Sequence, residues 1–297
     1  MTARGNRFLS VGGFSFNDVS NTQSPSSATQ LEPQYGHPPK PHLQLILDLT
    51  RLALRRPDRK PARLALAAAQ GGVDSIQVRG KALGAGELLD QALSIIRALR
   101  QERLSVAVLV NERLDVALLA GADGVHLPEA SFSPVWARPC KELARQAAVE
   151  PVSAGVRVRY REVDAQRREG DTQRPGVDAQ RRFLVGRSIH SSLGVEAPGT
   201  EDLDYVLFGH VFETESKAGT PPRGLSALAQ VVAVSPVPVY AVGGIDPDNA
   251  ADVIHAGAAG IAVISAILDA PDPLQAAMAL RHAVDAAWKR RLGSMSG

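Results

Sequence analysis

The chain has 297 residues, enough for one domain of barrel size or for two smaller ones. Its 33 Lys and Arg against 31 Asp and Glu leave a net charge of +2, and only 4% of residues are aromatic. That balance offers nucleic acid neither a basic footprint nor a stacking surface. A single cysteine, Cys140, excludes an internal disulfide framework and a cysteine-rich metal site, and no apolar run reaches the ~20 residues of a membrane helix. A reducing cytoplasm is the expected compartment.

The N-terminal stretch MTARGNRFLSVGGFSFNDVSNTQ carries two arginines but no continuous apolar core, which argues against a secretory signal. From 17 to 41 the chain is rich in Ser, Pro, Gln, Asn and His. It cannot bury enough apolar surface to offset its ordering entropy, so residues 1–41 are read as a disordered tail.

From Leu43 the texture changes to short aliphatic runs, each followed by an Ala/Leu-rich amphipathic stretch. Strands are predicted at 43–49, 75–78, 106–110, 124–127, 183–185, 205–208, 237–242 and 260–264. Between them, apolar residues at i, i+3 and i+4 predict helices, among them 88–99, 225–232 and 247–256. Eight strands alternating with eight helices over about 250 residues predict a single (β/α)8 TIM barrel over 42–292. A doubly wound sheet would also alternate, but DLTRLALRRPD follows the first strand where a Gly-rich phosphate loop would stand. One polar insertion, about 149–182, breaks the rhythm and repeats VDAQRR. It precedes strand five and is expected on the face opposite the site.

Catalytic side chains of a parallel barrel stand where strands end and βα-loops begin. At those ends the sequence places Gln77, Arg79 and Lys81 after strand two, Asn111 after strand three, and Ser188 with His190 after strand five. Strand six, read as apolar on both faces, ends at His210, and its loop brings Thr214 and Lys217. AVGGIDPDN then sets Gly243 and Gly244 on a strand-to-helix turn, where backbone can approach an anion closely. Ile264 and Ser265 open a short helix after strand eight, and these two loops together predict a phosphate site. Arg79 can meet an anionic substrate or pair with a neighbouring carboxylate such as Glu112. His210 can serve as a general acid/base near neutral pH, or rest as a core histidine bonded to a backbone carbonyl. His190 is read as capping or orienting, and His126 as packing. No set of residues has metal-ligand spacing.

In their order QVRGK, VNERLDVAL, GADGVHLP, GRSIHS, DYVLFGHVFETESK, PVPVYAVGGIDPDN and GAAGIAVISAI, these motifs resemble the thiamine phosphate synthase/TenI superfamily from Leu43 to about Arg291. The family's synthases join a pyrimidine pyrophosphate to a thiazole phosphate and use Mg2+ to neutralise the pyrophosphate. They carry aspartates where this chain has Glu112 and Ser131. LPEASFSP and FGHVFET are instead similar to TenI, the thiazole tautomerase. On that resemblance the chain is expected to be a cofactor-free isomerase of a 2-carboxy-4-methylthiazole phosphate. His210 would shuttle the proton, Arg79 would hold the carboxylate, and Gly244, Ile264 and Ser265 would hold the phosphate. Gln77, Lys81, Asn111, Ser188, Thr214, Lys217 and Gly243 would complete the substrate site. A synthase needing Mg2+, or a barrel that binds the thiazole phosphate without turnover, are the alternatives. The expected partner is a small phosphorylated thiazole, and homo-oligomerisation is left open.

Overall fold

A computed structural model of the chain describes residues 40–149 and 182–295. The tail over 1–41 and the insertion at 149–182 therefore lie, but for their edges, outside the described residues. Strands β1 (His42–Asp48), β2 (Ser75–Arg79), β3 (Ala107–Asn111), β4 (Gly124–Leu127), β5 (Leu184–Ile189), β6 (Tyr205–Gly209), β7 (Val239–Val242) and β8 (Gly260–Val263) are all parallel. They pair in sequence order, and β8 returns to β1, closing an eight-stranded barrel. Every strand forms on a run that the sequence predicts. The largest difference is β5, which continues to Ile189 because the pairs Gly186–Tyr205 and Ser188–Leu207 extend its ladder through a stretch with no apolar signature.

Helices α1 (Leu49–Arg55) and α2 (Pro61–Gln70) follow β1, α3 (Ala85–Gln101) follows β2, α4 (Leu114–Ala120) follows β3, and α5 (Ala137–Val149) follows β4. Then come α6 (Gly224–Val234), α7 (Ala250–His255), α8 (Ser265–Leu268) and α9 (Pro273–Met295). Each meets the barrel through its apolar stripe. In α3 the stripe is Leu88, Ala92, Ile95, Ile96 and Leu99, all buried at helical spacing. A fully buried Leu or Ile stabilises by about 1.5–3 kcal/mol, so this stripe alone explains why the helix docks. The expected alternation fails once. Between β5 and β6 the described chain forms only the 3-10 turns Ser192–Gly194 and Thr200–Asp202. The connection SSLGVEAPGTEDLD has glycines and a proline and no apolar period, so it forms no amphipathic helix and buries only single apolar residues, Val195 and Leu203.

The main core lies between strands and helices, where Leu43, Leu45, Leu47, Ile76, Val78 and Val239 point outward from the barrel. The inward-facing residues are of a different kind. Ile46, Leu109, Leu207 and Ala262 form a small apolar band. Buried polar side chains, Gln44, Ser75, Gln77, His126 and Tyr205, fill much of the remainder. The inner face of β6 is thus mixed, with Leu207 apolar and Tyr205 polar at its tip. Its inward Tyr205 carries a hydroxyl into the middle of the barrel.

Candidate functional site

At the C-terminal ends of the strands a cavity of about 200 Å³ is lined by all the sequence-predicted site residues except Lys81. Gln77 and Arg79 reach it from β2, Asn111 from β3, Ser188 from β5, His210, Thr214 and Lys217 from the β6 loop, Gly243 and Gly244 from the β7 loop, and Ile264 and Ser265 from the β8 end. Lys81 lies one step away. It lines a cleft of about 430 Å³ with Asp48, Arg51 and Arg55, and Arg79 borders both spaces.

Arg79 is paired with a neighbouring carboxylate, as one of its two readings has it, though not with Glu112. Its guanidinium pairs with the Asp48 carboxylate, at the end of the neighbouring β1. The β1–β2 register places Asp48 directly beside Arg79, a proximity that a separation of 31 positions in sequence conceals. Asp48 also accepts from the Arg51 backbone N–H at 3.0 Å, capping α1. Glu112 is exposed, on a residue of positive φ (67°), and forms no ion pair among the described residues.

His210 is buried, follows a cis Gly209–His210 peptide, and lies at the pocket wall. Its Nε2 donates to the Thr220 carbonyl at 3.1 Å. A ring nitrogen committed to a backbone carbonyl holds the imidazole in place, as in the plainer of the two sequence readings. The loop beyond it turns through a 3-10 segment, Glu215–Lys217. Glu215 is bound there by Arg51 and Arg55 at 3.0 Å each, and Arg51 is in turn paired with Asp269. These contacts tie the β6 loop to α1 and to the end of α8.

The two glycines of the β7 loop have positive φ, 103° for Gly243 and 65° for Gly244. A Cβ on Gly244 would lie 2.2 Å from the Glu213 carbonyl oxygen and 2.9 Å from the Phe212 Cβ. The glycine is therefore required by the packing of the β6 and β7 loops, in addition to any approach of an anion.

Sequence reasoning missed part of the site. His126 lines the pocket as well as packing. Its Nδ1 lies 3.0 Å from the Tyr205 hydroxyl and its Nε2 2.8 Å from Ser188 Oγ. Burial pushes its pKa down to about 3 and pushes the Tyr205 phenol well above its ordinary value. Both are neutral at any ordinary pH. His190 also lines the pocket, held by Glu129, whose carboxylate accepts from the His190 backbone N–H at 3.0 Å and pairs with Nδ1. Gln77 is 2% exposed, and among the described residues its amide nitrogen has no hydrogen-bond partner of ordinary length, its nearest acceptor being the Tyr205 oxygen. The histidine inside GVHLP was the available signal for the first of these. Nothing local marks Tyr205.

A closed parallel barrel with a polar pocket at its C-terminal mouth defines a TIM-barrel enzyme scaffold. The chain belongs to the thiamine phosphate synthase/TenI superfamily: the family model described as thiamine monophosphate synthase matches residues 50–148 and 169–267. A protein of Anaeromyxobacter dehalogenans named thiamine-phosphate synthase is 37% identical over 231 residues, covering 76% of this chain and 84% of its own. A Methanoculleus marisnigri protein of the same name is 37% identical over 225 residues, 75% of this chain and 88% of its own. Among solved structures, thiamine phosphate pyrophosphorylase from Pyrococcus furiosus matches with a TM-score of 0.60 and 26% identity, over 83% of this chain and 96% of that one.

These relatives overturn the tautomerase expectation, and with it the isomerase class. That reading rested on the segments LPEASFSP and FGHVFET, on His210 at the strand-six end, and on Glu112 and Ser131 where the synthases carry aspartates. The likeness to named synthases extends over three quarters of the chain.

Proposed function

We propose that this barrel is a thiamine-phosphate synthase, a transferase that joins a phosphorylated thiazole to a pyrimidine pyrophosphate and releases pyrophosphate. The observation that carries the reading is the 33–37% identity, over most of the chain, to proteins of that name. The charge of the pocket supports it. Both substrates are polyanions, and the mouth brings together Arg79, Lys217 and, in the adjoining cleft, Lys81, Arg51 and Arg55. Arg79 and Lys81 would take the pyrophosphate at the β2 end. The β7 and β8 loops, with Gly243, Gly244, Ile264 and Ser265, would take the thiazole phosphate through backbone N–H groups. Ser188, Asn111 and Gln77 lie between and would hold the reacting rings. Thr214 and Lys217 would cover them. As the ring nitrogen bonds to the pyrimidine's methylene carbon, the carbon–oxygen bond to pyrophosphate breaks and its electron pair leaves with the pyrophosphate. The residues that steady the departing charge are the cations of the mouth.

Magnesium belongs to this reading, and the donor set fits a shared site. Among the described residues no three His, Cys, Asp or Glu gather to hold a metal. Mg2+ needs no such cage, since one or two carboxylates suffice when substrate phosphates supply the other oxygens. Among the described residues Glu112, exposed at the β3 end and in no ion pair, is an available carboxylate; Glu129 is committed to His190. The ion would neutralise pyrophosphate oxygens when bound. The free Cys140 and the neutral balance of charge suit a cytoplasmic enzyme.

The test is direct. Purified protein is supplied with both substrates and Mg2+, and thiamine phosphate is read as fluorescent thiochrome after oxidation. Product that requires both substrates is expected. Its absence, with both substrates recovered intact, would refute the reading.

A further inference from the structure

The floor of the pocket is polar, and its hydrogen bonds have a direction. Gln44 Nε2, which can only donate, lies 3.2 Å from the Tyr205 hydroxyl. With that oxygen accepting, the phenol proton is left for His126 Nδ1 at 3.0 Å. A neutral imidazole carries one N–H, so His126 holds it on Nε2, which meets Ser188 Oγ at 2.8 Å. Ser188 then accepts from the imidazole and has its own proton to give to the pocket.

The arrangement is braced on all sides. The rings of Tyr205 and His126 stack with centroids 5.7 Å apart. Tyr240 stacks on Tyr205 at 4.8 Å, and His42 on Tyr240 at 4.7 Å. Both ring nitrogens of His126 engage neutral partners, so no ion pair holds the imidazole charged. The Gln77 amide, buried at the same pocket, also acts on the Tyr205 oxygen as a donor, which leaves the phenol proton to His126. One donor, the Ser188 hydroxyl, therefore awaits an acceptor.

We propose that Tyr205 and His126 are positioning residues that fix Ser188 as a committed hydrogen-bond donor, so that the pocket floor selects a substrate group with an acceptor there, an oxyanion oxygen or a ring nitrogen. The synthase reading supplies the identity of that substrate; the direction of the chain of hydrogen bonds does not depend on it. A site built to donate penalises a ligand that lacks the acceptor, because its own buried groups are then left unpaired.

The experiment uses the full chain labelled with 15N-histidine. Long-range 1H–15N spectra, with His126 assigned through its loss in His126→Gln, report the tautomer. The Nε2–H form is expected, unchanged from pH 5 to 8. The other charged or titratable groups facing the pocket are Arg79, His190, His210 and Lys217, and none of them is a hydrogen-bond partner of His126. Tyr205→Phe keeps the ring and removes the proton, so the tautomer preference should be lost. In calorimetry, Ser188→Ala and Tyr205→Phe should each weaken binding by roughly 3–10-fold, the size of one neutral hydrogen bond. Inorganic pyrophosphate and the phosphorylated thiazole serve as separate probes, and whichever one weakens identifies the acceptor. The double variant should bind no more weakly than Ser188→Ala alone. A Nδ1–H tautomer, a His126 titration near pH 6.5, or additive losses would overturn the proposal. If the parent binds neither probe, the synthase reading fails, and the tautomer still decides the relay.

Discussion

Replacing Gly244 with valine separates a backbone requirement from an anion contact. Gly244 has φ 65°, the left-handed region, where an L-residue costs roughly 1–2 kcal/mol and a β-branched one no less. Its new Cβ would stand 2.2 Å from the Glu213 carbonyl oxygen, a backbone atom that cannot swing aside. Overpacking of this kind costs typically ~1–3 kcal/mol. The two effects together give about 2–5 kcal/mol, or a fall in Tm of about 4–20 °C at 2–4 °C per kcal/mol for a domain of this size. Phosphate-ligand affinity should fall as well, because the β6 and β7 loops can no longer share one surface. Differential scanning fluorimetry measures the first effect and calorimetry the second. A Tm within 1 °C of the parent, with weakened binding, would show that the glycine serves only the anion and would refute the packing argument.

Gly186 makes room for the Tyr205 ring, since a Cβ there would meet ring atoms at 2.1 and 2.3 Å. Gly186→Ala should lower Tm by about 2–12 °C and should loosen the His126 tautomer in the same spectra; an unchanged Tm would contradict it. Arg79→Ala should weaken inorganic pyrophosphate binding by roughly 10–150-fold, the range of a charged hydrogen bond. An unchanged Kd would mean that Arg79 only balances Asp48. His42 and His126 have pKa values lowered by burial to about 4 and about 3. The unfolded chain, with ordinary histidines near 6.5, then takes up more protons below that pH. Stability is complete above pH 6.5 and declines as pH falls toward 4, by about 1.4 kcal/mol per unit for each histidine. Thermal melts should show Tm lower at pH 5 than at pH 7, corresponding to about 4 kcal/mol in total. A flat profile over that range would count against buried neutral imidazoles.

Periodicity of apolar residues is a local property, and it determined the strands, their order and the closed barrel. Because parallel strands present their C-terminal ends on one rim, the same local reading placed Gln77, Asn111, Ser188, His210 and Gly244 around one pocket before any contact was known. What it could not supply was pairing across the barrel. Asp48 beside Arg79 follows from the β1–β2 register. The Tyr205 hydroxyl reaching His126, 79 residues away, follows from the β4–β5–β6 register, which sets the two residues on either side of Gly186. Tyr205 in particular reads as one more apolar strand residue, because a phenol's ring and its hydroxyl give opposite signals to a one-dimensional pattern. The branch of the family was equally illegible from short motifs. Two segments, His210 and the Glu112 and Ser131 departures favoured one chemistry, while the likeness spread over 231 residues favoured another. Whether a side chain is a ligand, a brace or a spacer depends on what stands opposite it, and only the folded barrel brings those opposites together.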